Sequence, residues 1–125
     1  MTVATYRDLI TWQRSMDLAV AIYRATDGFP KAEEYGLKAQ LRRASVSVPS
    51  NIAEGQGRQS TGEFLQFLGH ARGSLLEIET QVLLAGRLGY LPDAKCENLL
   101  QLCAGAARVL NGLISSLGGK RRRSE

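Results

Sequence analysis

Residues 64–85 read Phe64-Leu65-Gln66-Phe67-Leu68-Gly69-His70-Ala71-Arg72-Gly73-Ser74-Leu75-Leu76-Glu77-Ile78-Glu79-Thr80-Gln81-Val82-Leu83-Leu84-Ala85. Phe64, Leu68, Ala71, Leu75, Ile78, Val82 and Ala85 recur in steps of 4, 3, 4, 3, 4 and 3. On an α-helix with about 3.6 residues per turn, these positions fall on one face. Their heptad rhythm predicts a long helix packed at a shallow angle against others. Ser60-Thr61-Gly62-Glu63 just upstream has the spacing of a capping box, and Leu88-Gly89-Tyr90-Leu91 ends the pattern. The helix is expected over about 60–88.

A second seam follows. Cys96, Leu99, Cys103, Ala106, Leu110, Leu113 and Leu117 repeat the same rhythm after Pro92-Asp93, and Gly118-Gly119 closes it. A helix is expected over about 93–117. Upstream, Leu37, Leu41, Ala44, Val48 and Ile52 mark a helix over about 32–55, with Pro49 inside it. An interior proline removes one backbone hydrogen bond and crowds the carbonyl of Ser45, so a kink is expected there. In the first segment, Leu9, Trp12, Met16, Ala19 and Tyr23 share a face, widened by Leu18, Ile22 and Ala25. Asp27-Gly28-Phe29-Pro30 stops that helix, expected over about 6–26, with Gly28 as a left-handed cap.

Four long helices with short connections imply an all-α, antiparallel up-down four-helix bundle over residues 1–119. The chain has 125 residues, which suits one domain. No apolar run approaches the roughly 20 residues of a membrane span, and residues 1–8 lack an apolar leader. A cytoplasmic location and no membrane partner are therefore expected. Cys96 and Cys103 would sit two turns apart on one helix, too far to bridge each other, and read as reduced core thiols.

The formal charge of +4 is unevenly placed. Lys120, Arg121, Arg122 and Arg123 against Glu125 give +3 in the last six residues, leaving residues 1–119 with 12 basic and 11 acidic groups. Residues 120–125 have no apolar anchor and read as a disordered basic tail. Leu65, Leu76, Leu84, Leu100, Val109 and Ile114 lie off the main stripes. A lone bundle of this size would expose some of them, and burial between subunits is the simplest remedy.

Two polar stripes complete the pattern. Gln40, Arg43, Ser47, Asn51 and Glu54 share one face of the second helix, with Ser50 beside them. Glu63, Gln66, His70, Ser74, Glu77 and Gln81 share a face of the third. They admit two readings. One is a polar groove for a ligand or a nucleic-acid strand. The other is a hydrogen-bonded seam or solvated face, in which Arg43 pairs with Glu77 and Asn51 serves carbonyls freed by Pro49. Gly69 and Gly73 stand in the same helix, where each costs on the order of 1 kcal/mol relative to Ala, and mark close approach of another backbone. Nothing here points to an enzyme. The single histidine, His70, has no defensible triad, the Glu-x-x-His pairs of di-iron bundles are missing, and no metal or cofactor motif is present.

The run Gln40-Leu41-Arg42-Arg43-Ala44-Ser45-Val46-Ser47-Val48-Pro49-Ser50-Asn51-Ile52-Ala53-Glu54-Gly55 resembles the signature of the 23S ribosomal RNA intervening-sequence proteins, or four helix bundle protein family. The resemblance continues through Arg58, Glu63-Phe64, Ala71-Arg72-Gly73-Ser74, Glu77 and Leu88-Gly89-Tyr90-Leu91. It implies a bundle that assembles as a homopentameric ring without enzymatic activity. It also implies kinship with the accessory protein of diversity-generating retroelements, a basic pentamer that binds nucleic acid and a reverse transcriptase. This chain departs from that relative in its nearly neutral body. On this basis Arg42, Arg58, Lys120, Arg121, Arg122 and Arg123 are expected phosphate contacts for RNA or DNA. The alternative is an interaction module for a protein such as a reverse transcriptase.

Overall fold

The structure, a computed structural model, describes residues 5–124, with side chains as far as Gly119. It contains four α-helices and no strand among the described residues. They are α1 (Ile10–Thr26), α2 (Leu37–Gln56), α3 (Thr61–Arg87) and α4 (Asp93–Ser124). Each helix packs on its neighbour in sequence and α4 closes on α1, whereas among the described residues the backbones of the α1–α3 and α2–α4 diagonals do not come close. This is the square cross-section of an up-down bundle, as short connections require.

The heptad seam of α3 forms the centre. Leu68, Ala71, Leu75, Ile78, Val82 and Ala85 are all buried. Leu37, Leu41, Ala44, Val48 and Ile52 of α2 and Leu99, Cys103, Ala106 and Leu110 of α4 meet them. Each fully buried leucine or isoleucine contributes on the order of 2 kcal/mol of transfer free energy.

Helix α1 differs from its expected register. Its buried face is Thr11, Ser15, Leu18, Ala19, Ile22 and Thr26, so of the expected stripe Ala19 is buried while Met16 and Tyr23 are about two-fifths exposed. Ser15 and Thr26 enter the core with their donors satisfied within the helix, Ser15 Oγ donating to Thr11 O and Thr26 Oγ1 to Ile22 O, whereas the buried Thr11 hydroxyl has no partner. Leu9 and Trp12 pack half-buried against the core, and the outer part of the stripe, Met16 and Tyr23, faces away from it.

The helix ends bring further corrections. A single 3-10 turn, Tyr6–Asp8, replaces the expected start of the first helix, because Leu9 is extended. Gly28 is not left-handed; α1 ends through Asp27 in right-handed geometry. Another 3-10 turn, Lys31–Glu33, precedes α2, whose first turn is capped by Glu33 Oε1 accepting from Leu37 N–H at 2.9 Å. Helix α2 runs without interruption past Pro49. At the start of α3, Ser60 Oγ accepts from Glu63 N–H at 3.1 Å, the hydroxyl half of the capping box. At its end Gly89, with φ 79°, is the left-handed residue, and Tyr90 N–H reaches Ala85 O while Gly89 N–H reaches Gly86 O, a Schellman motif.

Helix α4 does not stop at 117. Its backbone stays helical through Gly118-Gly119 to Ser124, so residues 120–124 are not the disordered segment expected. Two glycines weaken a helix, but Lys and Arg are good helix formers, and propagation of an existing helix is cheap. This helix, over Asp93–Gly119, is also long and apolar enough to cross a membrane by length and composition, with a mean hydropathy of 1.2 in its best window. This departs from the sequence expectation that no such stretch exists; Leu99, Cys103, Ala106 and Leu110 are buried in the bundle, but only 22% of that window is.

Candidate interaction surfaces

The two polar stripes meet as a seam between α2 and α3. Ser74 Oγ donates to Ser47 Oγ at 2.9 Å, and Asn51 Nδ2 donates to the Ser47 carbonyl at 2.8 Å and to its hydroxyl at 3.0 Å. Gln81 Nε2 reaches Gln40 Oε1 at 3.4 Å toward the other end. Asn51 thus serves Ser47, not the Ser45 carbonyl that Pro49 leaves unpaired. Arg43, Glu54, Glu63 and Glu77 are exposed, and no Arg43–Glu77 ion pair occurs among the described residues. Most of the stripe's polar capacity near Ser47 is spent inside the protein, as the seam reading requires.

The expected phosphate contacts separate. Arg42 is held at the end of α1: its Nε–H donates to Thr26 Oγ1 at 2.9 Å, one Nη donates to Tyr23 O at 3.0 Å, and its guanidinium lies 4.5 Å from the Tyr23 ring centre. It also faces Asp27 Oδ1 at 3.5 Å. Arg58 is exposed and stacks 4.6 Å from the Phe67 ring, whose other contact is the His70 edge. The side chains of Lys120, Arg121, Arg122 and Arg123 lie outside the described ones.

A larger surface lies where the sequence placed core. Between α1 and α2 runs a groove of about 520 Å³ whose lining includes Trp12, Met16, Val20, Tyr23, Val46 and Pro49. Ser50 lies at this groove, not at the polar seam. Only Arg24 brings charge to its wall. Periodicity found Trp12, Met16 and Tyr23 but read all three as core, whereas Met16 and Tyr23 are exposed at this groove. Leu18 and Ile22, read as only widening that core face, are its fully buried centre.

A second apolar face lies on α3. Leu76 is 61% and Leu83 49% exposed, seven residues apart on the outer side of the helix. Gly69 and Gly73 continue the same face, and a Cβ at either would meet nothing within 4 Å. No packing inside this chain explains why these positions are glycine.

The α1–α4 junction is different again. A trough of about 290 Å³ is lined by Ala21, Arg24, Ala25, Lys95, Asn98 and Leu99. Farther along the same junction, a Cβ on Gly105 of α4 would lie 3.5 Å from Arg14 Nη1. The two thiols are inert by environment. Burial pushes the Cys103 thiol up to about 11, with the Glu79 charge adding to it, and burial also raises Cys96. Among the described residues no group of three His, Cys, Asp or Glu side chains is arranged to hold a metal ion.

Residues 7–112 match the model of the 23S rRNA-intervening sequence protein family. The chain belongs to this family. A crystal structure from Bacteroides thetaiotaomicron, described as a protein with unknown function from the S23 ribosomal protein family, superposes with a TM-score of 0.76 at 23% identity. The superposition covers 84% of this chain and 98% of that one. At that identity the likeness is one of fold. No curated protein matches. The matched residues include those of the α2–α3 seam, most of the α1–α2 groove and the outer face of α3, whereas residues 113–125 lie beyond the match.

Proposed function

We propose that this 23S rRNA-intervening sequence protein is a non-enzymatic scaffold that assembles with copies of itself, as a homopentameric ring, and carries RNA on its basic residues without reading base sequence. The observation that supports it is the pair of unmatched apolar faces, the concave α1–α2 groove and the outer side of α3. Exposed apolar patches of this kind on a small bundle favour association. Two different patches that join head to tail generate a ring when the rotation closes. The ring multiplies every surface cation, so weak phosphate contacts add by avidity.

Two measurements test this. Light scattering should return five times the 13.6 kDa chain mass. A labelled single-stranded RNA should bind at low salt and dissociate steeply as salt rises. A monomer defeats the ring, and no binding at low salt defeats the RNA reading. The second reading is an interaction module for a protein such as a reverse transcriptase, favoured by the nearly uncharged groove. It gains if the mass is monomeric and a groove variant such as Val20→Glu loses a partner encoded by a neighbouring reverse-transcriptase gene.

A further inference from the structure

Resting on the RNA reading above, we infer that the α1–α4 junction is a track for a phosphodiester backbone, with Lys95, Arg24 and Arg14 as its cations. None of the three was singled out by sequence, because they come from two helices about 70 residues apart in the chain. The antiparallel packing of α1 on α4 places them in a row. Arg24 and Lys95 share the trough near the start of α4, with the Asn98 amide beside them. Arg14 lies farther along, over Gly105. Arg14 and Arg24 are ten residues apart on α1, about 15 Å at 1.5 Å per residue, which spans several successive phosphates of a strand.

Charge along the track is mainly positive. No ion pair involves Arg14, Arg24 or Lys95 among the described residues. The trough has no carboxylate in its lining. On α4, Asp93 and Glu97 fall on other sides of the helix from Lys95 and Asn98, since successive residues turn by about 100°. Asp17 is the one carboxylate of α1; it lies three residues from Arg14 and seven, or about 10 Å, from Arg24, and offsets part of their charge. The apolar floor of Ala21, Ala25 and Leu99 keeps the trough shallow, and leaves both cationic heads able to meet an anion. Helix α4 then carries the track toward residues 120–123, the most basic part of the sequence. The site would therefore take polyanionic backbone, not bases. Arg42, by contrast, is spent on α1.

The test uses the full-length protein and a fluorescein-labelled single-stranded RNA of mixed sequence, followed by anisotropy from 25 to 300 mM KCl. Arg24→Ala with Lys95→Ala should weaken binding about tenfold at low salt, equally for two unrelated sequences. It should also reduce the salt slope by about 1.4, since each single-strand phosphate contact contributes about 0.7. Adding Arg14→Ala should take the reduction to about 2. Arg72→Ala with Arg87→Ala, exposed cations on α3, is the matched control and should change little. Thermal melts and light scattering confirm that each variant is folded and assembled like the parent. If the track variant binds as the parent does while deletion of residues 120–125 or the α3 pair abolishes binding, the track is wrong and the RNA reading survives. If the parent binds no RNA at 25 mM KCl, both fall together.

Discussion

The Nε–H of Arg42 donates to the Thr26 hydroxyl at 2.9 Å, and that hydroxyl in turn donates to Ile22 O at 2.8 Å. With the Arg42 bond to Tyr23 O, one side chain of α2 serves both a buried hydroxyl and a carbonyl in the last turn of α1. Carbonyls at a helix C-terminus have no partner within the helix, and cations are favoured there. The guanidinium fork supplies two donors at once, which an ammonium cannot do in the same geometry. Arg42→Ala should therefore cost about 2 kcal/mol, in the range for hydrogen bonds to charged groups. Arg42→Lys should recover less than half. Urea denaturation reads both as a lower midpoint at unchanged slope.

Gly55, near the end of α2, sits close against the first turns of α3. A Cβ there would stand 2.8 Å from Phe67 Cβ and 2.9 Å from Phe64 Cδ1. Alanine at a helix interior is ordinarily better than glycine by about 1 kcal/mol. Overpacking against a ring and a β-carbon costs about 1–3 kcal/mol and should win. Gly55→Ala is expected to lower the melting temperature by several degrees.

Much of this was legible in the sequence, and the reasons differ by element. The α3 and α4 seams were readable because their apolar positions are few and strictly spaced, so one face had to be the core. Helix α1 was not, because apolar residues cover more than half its circumference and Thr11, Ser15 and Thr26 are buried against the ordinary expectation for polar groups. Periodicity then gives the period without the phase. The polar partners Ser47 and Ser74 were found as members of stripes, since stripes are local. Their contact across 27 residues, and the fixing of Arg42 by Thr26, depend on how helices are set side by side. No spacing rule holds that information. The α1–α4 cations were missed for the same reason.

Gly69 and Gly73 allow stability and assembly to be separated. A methyl added at either position would meet no atom within 4 Å, so alanine fits the single chain without displacement. Gly69→Ala with Gly73→Ala should stabilise the folded chain against urea by about 1–2 kcal/mol through helix propensity alone. If another copy's helix packs on this face, the same pair of methyls should weaken assembly, seen as a lower mass by light scattering at micromolar concentration. More stable chains that assemble as before would show that this face is solvated.

The Cys103 thiol links burial to pH. Its sulfur lies 3.4 Å from Leu75 O and its ionisation is pushed up to about 11 by burial, against about 9 for a free thiol. In the folded state the neutral form is favoured, so the contribution to stability is fully present below pH 9. Above pH 9 the unfolded chain ionises first, and stability should fall as pH rises toward 11. Cys103→Ala should flatten that decline, at the cost of a small cavity beside Leu75. At pH 7.5 the parent thiol should also resist iodoacetamide unless urea is present, because the thiolate is the reacting form. Rapid alkylation of Cys103 in the folded protein would place it outside the core and remove the basis for both effects.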